Sequence, residues 1–217
     1  TGKREATCKE VNTGYFTVAR TDEETEITET LDTKEFNNMT VSRGMVQVTE
    51  KVTGYWVKDV YTREVIKEFD LDLPEEVFTT AAVWMSVTDD IIDDIDDAGF
   101  SISGGLHALE HAQIAALPLF AMCDRMDLGG VSYTFNPTLK NPAIFIYDGH
   151  EGGIGLTLRG YTMFSAWLEA TYLLMRECPC ELSCPSCTQD QNCGNGNDPL
   201  DKRSAMLILE RWLSRCA

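Results

Sequence analysis

The sequence predicts an α+β fold, in which an N-terminal antiparallel β-sheet packs against C-terminal helices and a four-cysteine zinc site lies in a helix-helix loop. Three observations carry this prediction: strand-type alternation in residues 1–90, helical periodicity in residues 91–217, and five of the eight cysteines within sixteen residues before the last helix. A length of 217 residues with 43% hydrophobic content is enough to bury a full core. We therefore expect both parts to form one compact unit.

The first part contains three stretches that predict strands, because β-branched and aromatic residues recur in them with alternating polarity. These stretches are residues 15–19, 24–30 and 45–60. Thr53 and Gly54 interrupt the third stretch and predict a bulge or a bend. After Pro74, an apolar run over residues 77–87 continues the β-rich region. A curved antiparallel sheet is the expected result.

An acidic segment follows the predicted sheet. Residues 89–97 place six aspartates among three isoleucines. The segment lacks the glycine-centred spacing of a calcium loop, so the sequence favours a solvated helix or loop over a calcium site.

Helical spacing of apolar residues begins at Gly104 and predicts a core helix that ends at the glycines of residues 127–130. A buried strand is predicted at residues 143–147. It leads through the glycine-rich loop of residues 148–155 into a second helix that carries Leu158 to Tyr172, and a last helix is predicted at about residues 200–215. The loop lacks the Lys-Ser/Thr of a phosphate-binding loop, which favours tight packing over phosphate binding.

The cysteine-rich segment is the strongest chemical signal. Thiolates at these spacings can converge on one ion, and an all-thiolate shell without an open position is typical of structural zinc. An iron-sulfur centre and a disulfide framework are the alternatives. Four of the five cysteines should be ligands, and Cys184 and Cys187 are the safest pair; the five are Cys178, Cys180, Cys184, Cys187 and Cys193. We expect the remaining three, Cys8, Cys123 and Cys216, to be free thiols.

A second motif, His107-Ala-Leu-Glu110-His111, has the H-x-x-E-H pattern of a zinc-peptidase helix. Its two imidazoles lie on one helical face and can hold zinc, with Glu110 as the base for a bound water. Glu169 is a candidate third ligand. This pattern makes a zinc-dependent hydrolase the alternative function. His150, in the glycine-rich loop, is expected to be a surface or hydrogen-bonding residue.

The charge balance bears on possible partners. The net charge is −17, with 35 acidic and 18 basic residues, which opposes autonomous binding to nucleic acid. Arg159, Lys202, Arg203 and Arg211 are candidate contacts to phosphate or to an acidic partner surface. No apolar run reaches the roughly 18 residues of a membrane span, and a signal-peptide core is missing, so we expect a cytoplasmic protein. The start lacks an initiator Met, which is consistent with excision from a longer chain.

Several motifs together resemble the C-terminal signature of MrfA-type superfamily 2 DNA-repair helicases. The resemblance extends from about residue 45 to the C-terminus, and the matching segments are residues 107–112, 117–120, 123–130, 145–156 and 178–202. It implies a zinc-binding accessory module of a DEAD/DEAH-like, ATP-dependent 3′-to-5′ DNA helicase. Such a module docks on the two motor lobes and helps to shape the path of the tracking DNA strand. The resemblance also implies that four of the five clustered cysteines are ligands.

The sequence departs from a complete helicase in one respect. It contains neither a G-x-x-x-x-G-K-[ST] phosphate loop nor a D-E-x-H box, so the chain by itself should not hydrolyse ATP, and no catalytic residue is assigned to it. The expected partners are helicase motor domains, in cis or in trans, and single-stranded DNA in the context of that motor. Within this family, His107, Glu110 and His111 are expected to satisfy core polar contacts or to line an interdomain surface.

Overall fold

A computed structural model of the protein describes residues 9–37 and 39–214, and Cys8 and Cys216 lie outside these residues. Within them the chain forms one six-stranded antiparallel sheet with helices packed on it. The strands are β1 (Tyr15–Phe36), β2 (Met39–Asp59), β3 (Val65–Asp70), β4 (Glu76–Ser86), β5 (Leu128–Asn136) and β6 (Asn141–Asp148). The helices are α1 (Asp89–Asp97), α2 (Ile102–Ala116), α3 (Leu156–Thr162), α4 (Phe164–Glu177) and α5 (Lys202–Trp212). The strand order is β1-β2-β4-β6-β5, and β3 pairs with β2.

The three strand predictions for the first part are confirmed as pieces of two long strands, β1 and β2. Arg20 pairs with Gly54 and Thr21 pairs with Val52, so Thr53 is an extra residue on β2. The predicted bulge is therefore confirmed. Before this bulge β2 pairs with β4, from Val41 to Glu50, and after it β2 pairs with β3.

The core has two parts, one on each face of the sheet. On the larger face, residues such as Val83 and Ile146 pack against Leu109, Trp167 and Trp212 of the helices, and all five are fully buried. Side chains alternate along a strand, so the neighbours of these strand residues point to the other face. There they form a smaller cluster of Val46, Val48, Ala82, Trp84, Ala143, Phe145 and Tyr147.

The acidic segment is the solvated helix that the sequence favoured. Helix α1 buries Ile91 and Ile95 completely, whereas Asp89 and Asp90 in its first turn are exposed. The two buried isoleucines are four residues apart, which places them on one helical face.

The helix predicted to run from Gly104 to residues 127–130 is shorter than expected, and that boundary was wrong. Helix α2 ends at Ala116, because Pro118 cannot continue an α-helix. Gly129 lies in β5, where the ring of Tyr147 crosses the strand and an added Cβ would lie only 2.2 Å from its Cζ atom. These glycines permit close cross-strand packing instead of ending a helix.

The strand predicted at residues 143–147 is confirmed as β6, and the last predicted helix is confirmed as α5. The helix predicted through Leu158 and Tyr172 consists of two helices, α3 and α4, which are separated at Met163. In the described part of the chain, no helix combines the length and the apolar character needed to cross a membrane.

Candidate metal centre

The loop from α4 to α5 brings four cysteine sulfurs together. The Sγ distances are 3.3 Å between Cys178 and Cys184, 3.4 Å between Cys180 and Cys187, and 3.7 Å between Cys184 and Cys187. All four sulfur atoms lie within 4.8 Å of one another. Tetrahedral zinc with Zn–S bonds of about 2.3 Å separates its sulfurs by about 3.8 Å, so the residues fit this ion. The six cysteines within the described residues, including Cys123, form no disulfide in this structure.

A tight turn positions the two central cysteines. The carbonyl oxygen of Cys184 accepts hydrogen bonds from the backbone N–H groups of Cys187, Thr188 and Gln189 at 3.2, 3.1 and 3.0 Å. Burial opposes ionisation of the Cys184 thiol, but hydrogen bonds from Cys178 and from the backbone of Ser186 lower its pKa to about 6. A thiolate is the ligand form that a metal needs.

Lys202, the first residue of α5, lies beside this cluster. Its side chain is buried, with the residue only 7% exposed, and its Nζ atom donates to the carbonyl oxygens of Cys178 and Cys180 at 2.6 and 2.8 Å. The same ammonium lies 3.7 Å from the Cys180 sulfur. Sequence reasoning grouped Lys202 with possible phosphate contacts. The structure instead places its charge beside the cysteines, where it offsets thiolate charge.

The fifth cysteine, Cys193, is separate from this cluster and lies against the two histidines of α2. Its Sγ atom is 3.3 Å from the Nε2 atom of His107. The ring centroids of His107 and His111 are 4.4 Å apart, and the ligand atoms of all three residues lie within 4.8 Å of one another. Glu169, the candidate third ligand, is not a member of this group.

Backbone carbonyl groups hold both imidazoles in place. The Nδ1 atom of His107 lies 2.9 Å from the Pro199 oxygen, and that of His111 lies 2.7 Å from the Thr188 oxygen. Burial lowers the pKa of both histidines, and for His111 burial together with the neighbouring His107 lowers it to about 4. Neutral imidazoles whose Nδ1–H groups donate to carbonyls present the lone pairs of their Nε2 atoms to the space between them.

Glu110 and both histidines line a cavity of about 780 Å³ between α2, β1, β5 and the cysteine-bearing loop. Glu110 forms a side-chain hydrogen bond with Ser132 of β5, and its burial raises the pKa to about 8. Glu23 and Tyr147 also line the cavity. The cavity therefore has several carboxyl groups in its wall.

The glycine-rich loop packs as the sequence predicted. The carboxylate of Asp148, which is fully buried, accepts four backbone hydrogen bonds from residues 154–157 at 2.7 to 3.1 Å. The N–H groups that could bind a phosphate are thus already occupied by a side chain. His150 is exposed and lies 2.9 Å from the Asp127 carboxylate, which agrees with its expected hydrogen-bonding role.

The other three basic residues considered as phosphate contacts already have partners within the chain. Arg159 donates to the Phe120 carbonyl oxygen, Arg203 pairs with Asp201, and Arg211 pairs with Asp94.

The fold and the four-cysteine loop define an α+β domain with a structural zinc site. A family model described as the MrfA Zn-binding domain matches residues 109–188. The uncharacterized protein MJ1572.1 of Methanocaldococcus jannaschii is 42% identical over 112 residues, which are 50% of this chain and 100% of that protein. The chain belongs to the MrfA zinc-binding domain family.

Longer relatives contain the same region. The uncharacterized ATP-dependent helicase YprA of Bacillus subtilis is 32% identical over 187 residues, which cover 85% of this chain and 24% of the helicase. A crystal structure of the DUF1998 helicase MrfA bound to DNA matches 93% of this chain with 27% identity and a TM-score of 0.59. Another MrfA structure matches 88% of the chain with 26% identity and a TM-score of 0.56. The chain spans about a quarter of each of these helicases.

Proposed function

We propose that this chain is the zinc-binding accessory domain of an ATP-dependent DNA helicase that acts in DNA repair, and that it helps to shape the path of the DNA strand. The observation that carries the proposal is the match of 93% of the chain to an MrfA helicase bound to DNA. The motor domains would be its partner, in cis or in trans, and single-stranded DNA would meet the chain only beside that motor. A cytoplasmic location is part of the proposal.

The proposed zinc ligands are Cys178, Cys180, Cys184 and Cys187. Their sulfur spacing and their position in the loop between two helices support a closed structural site. When bound, the ion supplies folding free energy and no chemistry. Cys193 is not proposed as a ligand of this ion, because it contacts His107 instead.

A chimeric helicase tests the function. The matching region of the Bacillus subtilis helicase YprA is replaced by this chain, and ATP-dependent unwinding of a duplex with a 3′ single-stranded tail is measured. We expect the chimera to unwind DNA, whereas the same chimera with Cys184→Ser, and YprA lacking the region, should not. A chimera that hydrolyses ATP but unwinds no better than the deletion would contradict the proposal.

A zinc-dependent hydrolase that uses His107, Glu110 and His111 is the second candidate. The observation in its favour is that all three residues line one cavity. The hydrogen bond of Glu110 to Ser132 counts against it, because this bond holds the carboxyl group against β5. Cleavage of a mixed peptide library by the isolated chain, abolished by a chelator and by Glu110→Gln, would support the hydrolase. A lack of cleavage by zinc-loaded protein would exclude it for these peptides.

A further inference from the structure

We propose that His107, His111 and Cys193 form a second metal site, which binds a divalent ion of the zinc class through two imidazole nitrogens and one thiolate. This site is distinct from the four-cysteine cluster. It shares His107 and His111 with the second candidate function, but it requires no hydrolysis and requires only that three buried groups bind one ion.

The geometry of the donors matches such an ion. Zinc bonds of about 2.0–2.1 Å to nitrogen and about 2.3 Å to sulfur place neighbouring N and S ligands about 3.5 Å apart. The Nε2 atom of His107 lies 3.3 Å from the Cys193 sulfur. His107, His111 and Cys193 are 8%, 5% and 8% exposed, so the three donors are held by packing.

The surroundings orient the donors as metal ligands are usually oriented. Each imidazole has its Nδ1 atom on a backbone carbonyl oxygen, which fixes the tautomer whose Nε2 atom carries the lone pair. The backbone N–H of Asn197 donates to the Cys193 sulfur at 3.2 Å. The Asn197 side chain in turn holds the loop by two hydrogen bonds of 2.7 Å to the backbone of Asp190.

Hydrogen bonds within the triad alone would leave one of the two Nε2 acceptors without a proton donor. A cysteine thiol has a single proton, which it can give to only one of the two Nε2 lone pairs. A divalent ion displaces that proton and satisfies both imidazoles and the thiolate together. The three residues supply three ligands, and all of them line the 780 Å³ cavity, so the fourth tetrahedral position opens toward that cavity. Water or a small molecule in the cavity would fill it.

Metal counting tests this site. The 217-residue chain is purified with zinc, dialysed, and its zinc content per chain is measured by plasma mass spectrometry. We expect two zinc ions in the unchanged protein and one in each of Cys193→Ser and His111→Asn, and circular dichroism verifies that these variants fold. Cys123→Ser, which changes a cysteine outside both clusters, should retain two ions.

Cobalt provides a second readout, because the visible spectrum of Co²⁺ reports its ligands. The spectrum of the cobalt-loaded chain should be the sum of a four-sulfur site and a site with two nitrogens and one sulfur, and His111→Asn should remove only the second component. One zinc ion in the unchanged protein, together with a cobalt spectrum that is identical in His111→Asn, would overturn the proposal.

Discussion

Lys202 is a buried cation at the edge of the four-cysteine cluster. Zinc with four thiolates carries a net charge of −2, and a buried charge is costly unless it is paired and hydrogen-bonded. The Lys202 ammonium lies near the Cys180 sulfur and binds two carbonyl oxygens of the same loop. Its role is therefore electrostatic as well as structural.

Lys202→Met should weaken zinc binding by about 10-fold or more, because it removes a group that supports the ligands. Competition with a zinc chelator of known affinity measures this change. Lys67→Met is the matched control, since Lys67 is exposed on β3, and it should leave the zinc affinity unchanged. Equal affinities of the two variants would contradict the assigned role of Lys202.

Asp148 organises the loop that leads into α3. Asp148→Asn retains one carbonyl oxygen but loses the charge and the second acceptor, so the four N–H groups cannot all be satisfied. We expect a loss of about 1–3 kcal/mol in the free energy of unfolding. Urea denaturation measures it, with Glu151→Gln in the same exposed loop as a control that should change little. A loss no larger than that of the control would show that this network is not needed for stability.

At the scale of elements, we expect the loop between α4 and α5 to depend on the metal for its structure. Zinc supplies on the order of 10 kcal/mol to the folding of a small site. Removal of zinc by a chelator should therefore raise hydrogen exchange in residues 178–201 and at the start of α5 before it affects β2 and β4. Mass spectrometry of the exchanged peptides checks this order, and simultaneous loss of protection in the sheet would contradict it.

Strand β1 lies along the cavity and carries Glu23, whose burial raises its pKa to about 7. The folded state therefore keeps this carboxyl group protonated between its ordinary value of 4.5 and about 7, whereas the unfolded state releases the proton. As a result, stability falls as the pH rises through this window and no further contribution is lost above it.

Glu23→Gln should remove this part of the pH dependence and stabilise the protein by about 1–3 kcal/mol above pH 7. Urea unfolding at a series of pH values from about 4 to 8 measures the effect. Glu24→Gln, at the adjacent exposed position, serves as the control and should keep the dependence of the unchanged protein. Parallel curves for Glu23→Gln and the unchanged protein would contradict the assignment.

At the scale of the whole molecule, the net charge of −17 opposes an approach to DNA. The isolated chain should bind a labelled single strand weakly at roughly 150 mM salt, and fluorescence anisotropy measures this binding. Adding helicase motor domains that bind the chain should bring the strand into the complex. Tight binding of DNA by the isolated chain would place the strand on this domain directly and would contradict a motor-dependent role.

Most of the fold was predictable because the strong patterns reflect burial. The alternation in β1 and β2, the isoleucines of α1 and the apolar run of β6 each predict a face that the structure buries. Strand β3 was missed because all six of its residues are exposed and have no buried face to reveal. Strand β5 was missed because its glycines were interpreted as the end of a helix. Gly129 is instead needed to make room for the ring of Tyr147, and this contact between distant parts of the sequence leaves no local pattern.

The sequence predicted the presence of a cysteine metal site, but it did not identify which four cysteines form it. Spacing alone identified five cysteines for four places and could not separate Cys193 from the rest. The separation depends on His107, which lies 86 residues earlier in the chain. The sequence also did not distinguish Lys202 from the exposed basic residues. Its burial depends on the position at which α5 begins after the loop.

The length of β2 has a mechanical consequence. Its 21 residues span about 70 Å, and beyond Glu50 the strand leaves β4 and, among the residues that the structure describes, pairs with only β1 and β3. The loop after Cys193 rests on this part of the sheet, where Gly194 packs on Thr21 of β1 and Gly196 faces the ring of Trp56 of β2. A bend or twist of the hairpin beyond Glu50 would therefore change the contacts of the loop that carries Cys193.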